Sequence, residues 1–161
     1  MLDFFENDYA TYKLSDGILS IRYHSGVSID FDAAIQIVKD RLLMQQGEHL
    51  PVLCDIRGVK EINKSARGYL AAEGSVLIKA AAFIIESPVS EVLSSFYIRT
   101  NKPPIPHRSF QSVEEAKKFL NGFWPLVVIK IFAFKTLHIS IQQNTGIRQL
   151  SPLIDKICPK G

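Results

Sequence analysis

Two short and uninterrupted apolar runs, each flanked by amphipathic helical patterns, constrain the fold of this chain most strongly. The runs VLCDI at 52–56 and AAAFIIE at 80–86 are typical of strands that are buried on both faces of a sheet. Helical periodicity at 30–46 precedes the first run, and further helical patterns begin near Asn63 and Pro88. Because strands and helices that alternate along a chain are joined by right-handed crossovers, the sequence predicts an α/β fold with a mostly parallel sheet.

An antiparallel hairpin is predicted to open this sheet. The β-rich runs 9–14 and 17–24 are separated by a turn that contains Asp16-Gly17, which is a strong hairpin signal. A further short run at 107–110 is predicted to be an edge strand. The complete predicted order is therefore β-β-α-β-α-β-α-β-α.

Capping residues define the ends of the predicted helices. Asp30 and Asn63 are suitable N-caps, and Pro88 suits the first turn of a third helix. Ser112 begins the capping box SVEE of a fourth helix. The apolar face of the helix that begins at Asn63 is predicted to continue to Leu77. The inward stripe of the first helix is predicted to consist of Phe31, Ala34, Ile35, Val38 and Leu42.

The net charge of +3 is unevenly distributed and indicates two regions. Residues 1–123 contain 14 basic and 15 acidic side chains, a net charge of −1, whereas residues 124–161 contain 5 basic and 1 acidic, a net charge of +4. A folded domain at 1–123 therefore lacks the general basicity that supports nucleic-acid binding. We expect 124–161 to be an apolar, basic C-terminal extension.

The extension begins with the longest apolar stretch of the chain, 124–141. Lys130, Lys135 and His138 interrupt this stretch, which argues against a transmembrane segment. We expect the stretch to cover the domain or to pair with a second copy in a homodimer. The N-terminal MLDFFENDYA lacks a signal-peptide pattern, and two cysteines are too few for a disulfide framework, so the expected location is the cytoplasm.

Recognised catalytic and cofactor-binding motifs are absent from the sequence. There is no P-loop, no dinucleotide-binding glycine motif, no zinc-protease motif, no paired CxxC and no nucleophile elbow. The four histidines are widely spaced, and Cys54 lies in an apolar strand, where a buried and inert thiol is expected. The sequence therefore predicts a protein that is not an enzyme and that has no cofactor or bound metal.

The stretch that joins the first buried run to the next helix is chemically the most distinctive. Asp55 ends the strand, and it either faces a ligand at the sheet edge or orders its own loop. Four basic residues then occur within eleven positions. Because the N–H groups of a helix N-terminus already attract anions, such cations indicate a phosphate, an acidic partner surface, or only a solvated face. The predicted partner- or anion-binding residues are Arg57, Lys60, Asn63, Lys64, Ser65 and Arg67.

Three phrases of the sequence resemble an uncharacterised bacterial domain family with a STAS/SpoIIAA-like fold. They are DGIL, PVLCDIRGVKEINKSARGYLAAEGS and SPVSEVLSSFYIRTNKPPIP. The element order is similar to that of the STAS domain, the fold of the anti-sigma factor antagonists, over about residues 9–121. The resemblance implies a STAS/SpoIIAA-like domain at 1–123, with helices packed against a mixed, mostly parallel sheet, and a role in signalling.

The same resemblance has a consequence for the helix that begins near Asn63. In the antagonists this helix begins Asp-Ser-Ser-Gly, and the partner kinase phosphorylates the first serine. Asn63 stands at the aspartate position, Lys64 at the phosphorylated serine, Ser65 at the second serine and Ala66 at the glycine. The resemblance therefore implies a docking surface with a fixed positive charge in place of the phosphorylation switch, while Ser65 stays open as an alternative acceptor.

Three classes of function follow from these patterns. The first is a non-enzymatic regulatory or protein-interaction domain, which docks an acidic or signalling protein through the 57–67 loop and the following helix N-terminus. The alternative is a binder of a small anionic or lipid-like ligand between the sheet and the helices. The third is an enzyme that uses Asp55, Ser65 or Cys54, although the sequence shows no activating partner for them.

Removal of the extension tests its expected role. A chain that ends at Phe123 should be less soluble than the full chain or should form an oligomer with fewer copies, because 124–141 no longer covers the domain or pairs with a second copy. Solubility measurements and size-exclusion chromatography with light scattering, from which the number of copies is calculated, compare the two chains. Unchanged solubility and an unchanged number of copies would contradict both roles.

Overall fold

Eight strands, four α-helices and one 3-10 helix make up the part of the chain that the computed structural model describes, residues 3–86 and 88–123. Their order is β1 (Phe4–Glu6), β2 (Ala10–Ser15), β3 (Ile18–Tyr23), β4 (Val27–Ile29), α1 (Phe31–Gln45), β5 (Leu50–Asp55), β6 (Val59–Ile62), α2 (Lys64–Ala72), the 3-10 helix (Glu73–Ser75), β7 (Ile78–Ile84), α3 (Pro88–Asn101), β8 (His107–Phe110) and α4 (Val113–Asn121). The predicted extension at 124–161, with its expected homodimer contact through 124–141, lies outside the described residues.

The larger sheet is mixed and has the strand order β1-β2-β3-β5-β7-β8. The first three strands pair antiparallel, whereas β3, β5, β7 and β8 pair parallel. Asp16 and Gly17, with φ angles of 51° and 70°, form the turn between β2 and β3, and this left-handed conformation matches the twist of the two strands. The predicted mostly parallel sheet, opened by a hairpin, is confirmed.

Side chains of the larger sheet alternate between two hydrophobic cores, one on each face. In β5, Val52 and Cys54 contact the core beneath α1 and α2, whereas Leu53 contacts the core beneath α4. Ala66 of α2 and Leu120 of α4 are both fully buried in their respective cores. Burial on both faces explains why the central strands appear in the sequence as continuous apolar runs.

A second, two-stranded sheet replaces most of the loop that was predicted after β5. Strands β4 and β6 pair parallel, with Ile29 opposite Ile62. The segment 57–67 is therefore a turn, a strand and the first turn of α2, and its description as a loop is wrong. Strands of three and four residues are too short to show the alternation by which a half-buried strand is recognised.

Helix α2 ends at Ala72, so the prediction that its apolar face continues to Leu77 is wrong. A 3-10 turn follows the helix, and Leu77 has a φ angle of 60°. Gln45 of α1 donates a hydrogen bond to the Leu77 carbonyl at 2.7 Å, and Arg41 donates one to the Val76 carbonyl at 2.8 Å. These bonds satisfy carbonyl groups beyond the end of α2 and hold the chain where it turns into β7.

A close backbone approach at Gly58 holds the turn between β5 and β6 against the end of β3. A Cβ atom at this position would lie 2.5 Å from the Tyr23 carbonyl oxygen and 2.6 Å from that of His24. The Gly58 carbonyl also accepts a hydrogen bond from the Gly26 amide at 2.7 Å. Since both obstructing atoms belong to the backbone, a side chain fits only if the chain moves.

The substitution Gly58→Ala should lower the free energy of unfolding by about 1–3 kcal/mol, because the added methyl group forces these backbone segments apart. Urea unfolding of the full chain measures the loss. Gly68→Ala is the matched control, since a Cβ at that position in α2 meets no atom within 4 Å. The control should be neutral or more stable by up to about 1 kcal/mol, and an equal loss in both variants would refute the steric explanation.

Candidate functional site

The Asp55 carboxylate, at the carboxyl end of β5, lies between two arginines. Arg57 holds it with two hydrogen bonds, from Nε to Oδ1 at 2.8 Å and from Nη2 to Oδ2 at 2.7 Å. Arg22, which is opposite Asp55 in the register of β3 and β5, places its Nε 3.4 Å from Oδ2. We call Asp55, Arg57 and Arg22 the Asp55 cluster, and it joins the β5–β6 turn to the neighbouring strand.

The Asp55 carboxylate offsets the charge of one of the two arginines in this cluster, and the Glu86 carboxylate lies 3.4 Å from Arg57. Burial by itself raises the pKa of Asp55, but the hydrogen bonds and the charge of Arg57, aided by the charge of Arg22, outweigh burial and hold the pKa below its ordinary value of 3.8. The hydrogen bond to Asp55 in turn raises the pKa of Arg57. Of the two roles that the sequence left open for Asp55, the geometry matches the ordering of its own turn, because the carboxylate also accepts the Arg57 backbone N–H at 3.3 Å.

The N-terminus of α2 is capped by its own residues. The Asn63 side-chain oxygen accepts the Ala66 amide at 2.8 Å and the Ser65 hydroxyl at 2.9 Å, so the predicted N-cap is confirmed. A guanidinium N–H of Arg67 donates to the Ile62 carbonyl, at the end of β6. These three predicted site residues therefore help to fix the β6–α2 corner.

The two predicted lysines differ from the arginines. Lys60 and Lys64 are exposed, and neither forms an ion pair with any residue in 3–86 or 88–123. Lys64 lies in the first turn of α2, next to the cap formed by Asn63. The structure thus separates the predicted basic cluster into two arginines with protein partners and two lysines that present their charges to solvent.

A shallow groove of 750 Å³ runs beside this corner, along the outer side of α2. We call it the α1–α2 groove, and its lining residues are Phe31, Asn63, Lys64, Ser65, Gly68, Tyr69, Ala72 and Glu73. The rings of Phe31 and Tyr69 meet edge to face, with centroids 5.4 Å apart. Tyr69 also lines a second depression of 460 Å³, with Ile35, Lys39 and Leu43 of α1, so the two depressions adjoin.

The apolar wall of this surface corrects one sequence prediction. Phe31 and Ile35 were assigned to the inward stripe of α1, but they are 43% and 37% exposed, whereas Ala34 and Val38 are buried as predicted. Leu43 is 63% exposed on the same helix. The sequence did contain a signal for this exposed apolar surface. The apolar stripe of α1 is wider than the stripe that a helix needs in order to cover the sheet.

The remaining nucleophile of this region is not activated. Cys54 is a free thiol, and burial raises its pKa to about 12. A thiol in that state is protonated at neutral pH, which is opposite to the low pKa of reactive cysteines. Within the described ranges, no group of three or more His, Cys, Asp or Glu side chains is placed to hold a metal ion.

Comparison with known proteins places the chain in a family. One family model, described as a domain of unknown function (DUF7793), matches residues 12–124. The chain belongs to the DUF7793 family. No curated protein matches the chain. None of the helices in the part of this DUF7793 domain that the structure describes is long and apolar enough to cross a membrane.

Solved structures show which fold the DUF7793 domain has. It is similar to an uncharacterised DUF3478-family protein with a SpoIIAA-like fold from Shewanella loihica PV-4, with a TM-score of 0.53 and 14% identity over 72% of this chain and 98% of that one. Phosphorylated SpoIIAA, a Bacillus cell fate determinant, matches with a TM-score of 0.44 and 14% identity over 68% of this chain and 96% of that one. The first of these two matches confirms the predicted resemblance to a STAS/SpoIIAA-like fold.

The Asp55 cluster should make the stability of the DUF7793 domain depend on acidic pH. At neutral pH, Asp55→Asn should lower the free energy of unfolding by about 1–3 kcal/mol, because two arginines lose their anion. A carboxylate with a lowered pKa stabilises the fold above its unfolded-state pKa of about 3.9, and this contribution disappears as the pH falls through the folded-state pKa. The difference between wild type and variant should therefore shrink below about pH 4.

Urea unfolding at a series of pH values between neutral and strongly acidic measures this difference. Asp3→Asn is the control, because Asp3 is exposed and outside the cluster, and its effect should be small at every pH. A difference for Asp55→Asn that stays constant through the acidic range would refute the assignment.

Proposed function

We propose that this domain is a non-enzymatic regulatory or protein-interaction module of the bacterial cytoplasm, which docks a partner protein at the α1–α2 groove and the adjoining N-terminus of α2. The observation that carries the proposal is the location of Lys64. Its charge has no counter-ion among the described residues, and it lies on the rim of a groove with exposed apolar walls. Of the predicted 57–67 surface, Asn63, Lys64 and Ser65 line this groove, and Lys60 is exposed on the preceding strand.

Exposed apolar side chains support a docking role. Phe31, Ile35 and Leu43 lie at intervals of four and eight residues on the outward side of α1, with the exposed Lys39 between Ile35 and Leu43. Tyr69 of α2 adds to this apolar surface through its contact with Phe31. Contiguous exposed apolar surface beside charged residues is typical of a protein–protein contact.

The chemistry of the groove favours an amphipathic helix with acidic residues as the occupant. Gly68 and Ala72 line the groove on the α2 side, and their small side chains permit close approach of another helix. Apolar anchors of that helix would contact Phe31 and Tyr69, in the manner of helix-in-groove recognition. Acidic residues at its edge would pair with Lys64 and with Lys39, which lines the adjoining depression.

The state of the candidate catalytic groups supports a function other than catalysis. The Asp55 carboxylate is paired with arginines and has a lowered pKa, so it is a poor base. The partly buried Cys54 thiol has a raised pKa, and the Ser65 hydroxyl donates to Asn63, which is not a base. A thiol or hydroxyl nucleophile requires an adjacent base or a lowered pKa, and neither Cys54 nor Ser65 has either.

Site-specific photo-crosslinking tests the surface directly. A photoreactive residue at Ile35 of the full chain should capture a discrete partner in cells of the source bacterium, whereas the same residue at Lys118 of α4, beneath the opposite face of the sheet, should not. Lys64→Glu should reduce the captured amount and weaken binding of the purified partner by about tenfold, because it places a negative charge opposite acidic residues. The matched control Lys118→Glu should have no effect.

A charge exchange makes the test specific for the proposed contact. Replacement of an acidic residue of the captured partner by Lys should restore its binding to the Lys64→Glu variant. Capture from the α4 position alone, or full binding by Lys64→Glu, would refute docking at the α1–α2 groove.

A further inference from the structure

An internal cavity lies between the sheet and the helices on the face that carries α1 and α2. Its volume is 80 Å³, and its walls are mainly apolar. Strands β3, β5 and β7 contribute Ile21, Val52 and Phe83, and α2 and α3 contribute Leu70 and Leu93. The sequence left open a small anionic or lipid-like ligand between sheet and helices, and this cavity is a specific location for one.

The cavity also contains a buried cation. Arg41 of α1 lines it and is only 2% exposed. Its guanidinium donates to the Gln45 side-chain oxygen, to the Val76 carbonyl at 2.8 Å and to the Glu73 carbonyl at 3.4 Å. All three acceptors are neutral. Since a guanidinium has five N–H donors, two of them have no acceptor among the described residues.

No carboxylate in residues 3–86 or 88–123 forms an ion pair with Arg41. The adjacent Asp40 is instead bound by Asn7 at 2.7 Å and by Gln36 at 2.9 Å. The titratable groups that act on Arg41 are Cys54, Tyr23 and Tyr12. Burial raises the pKa of Cys54 to about 12 and raises that of Tyr12, so these two groups are uncharged at neutral pH.

This arrangement leaves a positive charge without a counter-ion at the wall of an apolar cavity. Burial lowers the pKa of Arg41, which is the direction expected when desolvation of a cation is not offset by a neighbouring anion. A guanidinium nevertheless stays protonated in proteins. An anion that enters the cavity would therefore gain a strong, charge-assisted hydrogen bond in a water-poor environment.

We propose that this cavity binds a short aliphatic carboxylate, with its hydrocarbon part against Val52 and Phe83 and its carboxylate on the unused N–H donors of Arg41. The size of the cavity limits the chain length. A cavity of about 150 Å³ accepts benzene, which has six non-hydrogen atoms, so 80 Å³ corresponds to about three to four non-hydrogen atoms, the size of acetate. The site is separate from the α1–α2 groove, and binding there does not depend on the docking proposal.

Titration of the full chain with matched ligands tests the proposal. Acetate and acetamide have nearly the same shape, but only acetate carries a charge, and sodium chloride keeps the ionic strength equal. Acetate should raise the thermal unfolding midpoint and shift the NMR signals of the Ile21 and Val52 methyl groups. Acetamide should bind at least about tenfold more weakly, because it lacks the ionic hydrogen bond.

Two variants locate the effect. Arg41→Gln should weaken acetate binding by about tenfold and leave acetamide binding unchanged. Ala81→Val, which fills the cavity from β7 and retains Arg41, should abolish the binding of both ligands. If Arg41→Gln does not fold, Ala81→Val still tests whether the ligands bind in the cavity.

Three results would overturn the proposal. Equal binding of acetate and acetamide would show an apolar cavity without selection for charge. Absence of methyl shifts with either ligand would show a cavity that holds only water or remains empty. Undiminished binding of acetate to folded Ala81→Val would show that the ligand binds elsewhere.

Discussion

The ionic contacts of Asp55 are the interaction on which the rest of this structure depends. They hold the point where the central strand leaves the sheet, and the α2 side of the α1–α2 groove follows that point along the chain. Arg57 lies two residues beyond the carboxylate, and Arg22 lies on the neighbouring strand, so the contacts join local and distant parts of the sequence. Gly58 then brings the chain against the end of β3. These contacts fix the path of the chain at the corner and so place the surface that follows on α2.

The sequence predicted best what depends on local geometry. Asp16-Gly17 forms the expected left-handed turn, and Asn63 forms the expected cap, because both signals act within three residues. The end of α2 and strand β6 could not be predicted in the same way. Leu77 is held out of the helix by Gln45, 32 residues away, and β6 exists because β4 lies beside it. Contacts of this kind leave no periodic pattern in a single chain.

The candidate site was predicted in position but not in detail. A count of charges placed Arg57 and Lys64 in one basic cluster, yet Arg57 is bound to Asp55 and Lys64 is exposed to solvent. Sequence spacing does not give the direction of a side chain across a turn, so a paired cation and an unpaired one look alike. The apolar wall of the groove was hidden for a related reason, since Phe31 and Ile35 share the helical spacing of truly buried neighbours.

The division of the apolar residues into two cores by a single sheet has a practical consequence. Helix α4 and its core lie on the face opposite the groove and the internal cavity. A dye, a spin label or a surface tether attached to the outer side of α4 would therefore lie on the face of the sheet opposite the α1–α2 groove and would leave the groove accessible. A domain immobilised through α4 would present the α1–α2 groove to the solution in one orientation, because the six-stranded sheet separates α4 from the groove.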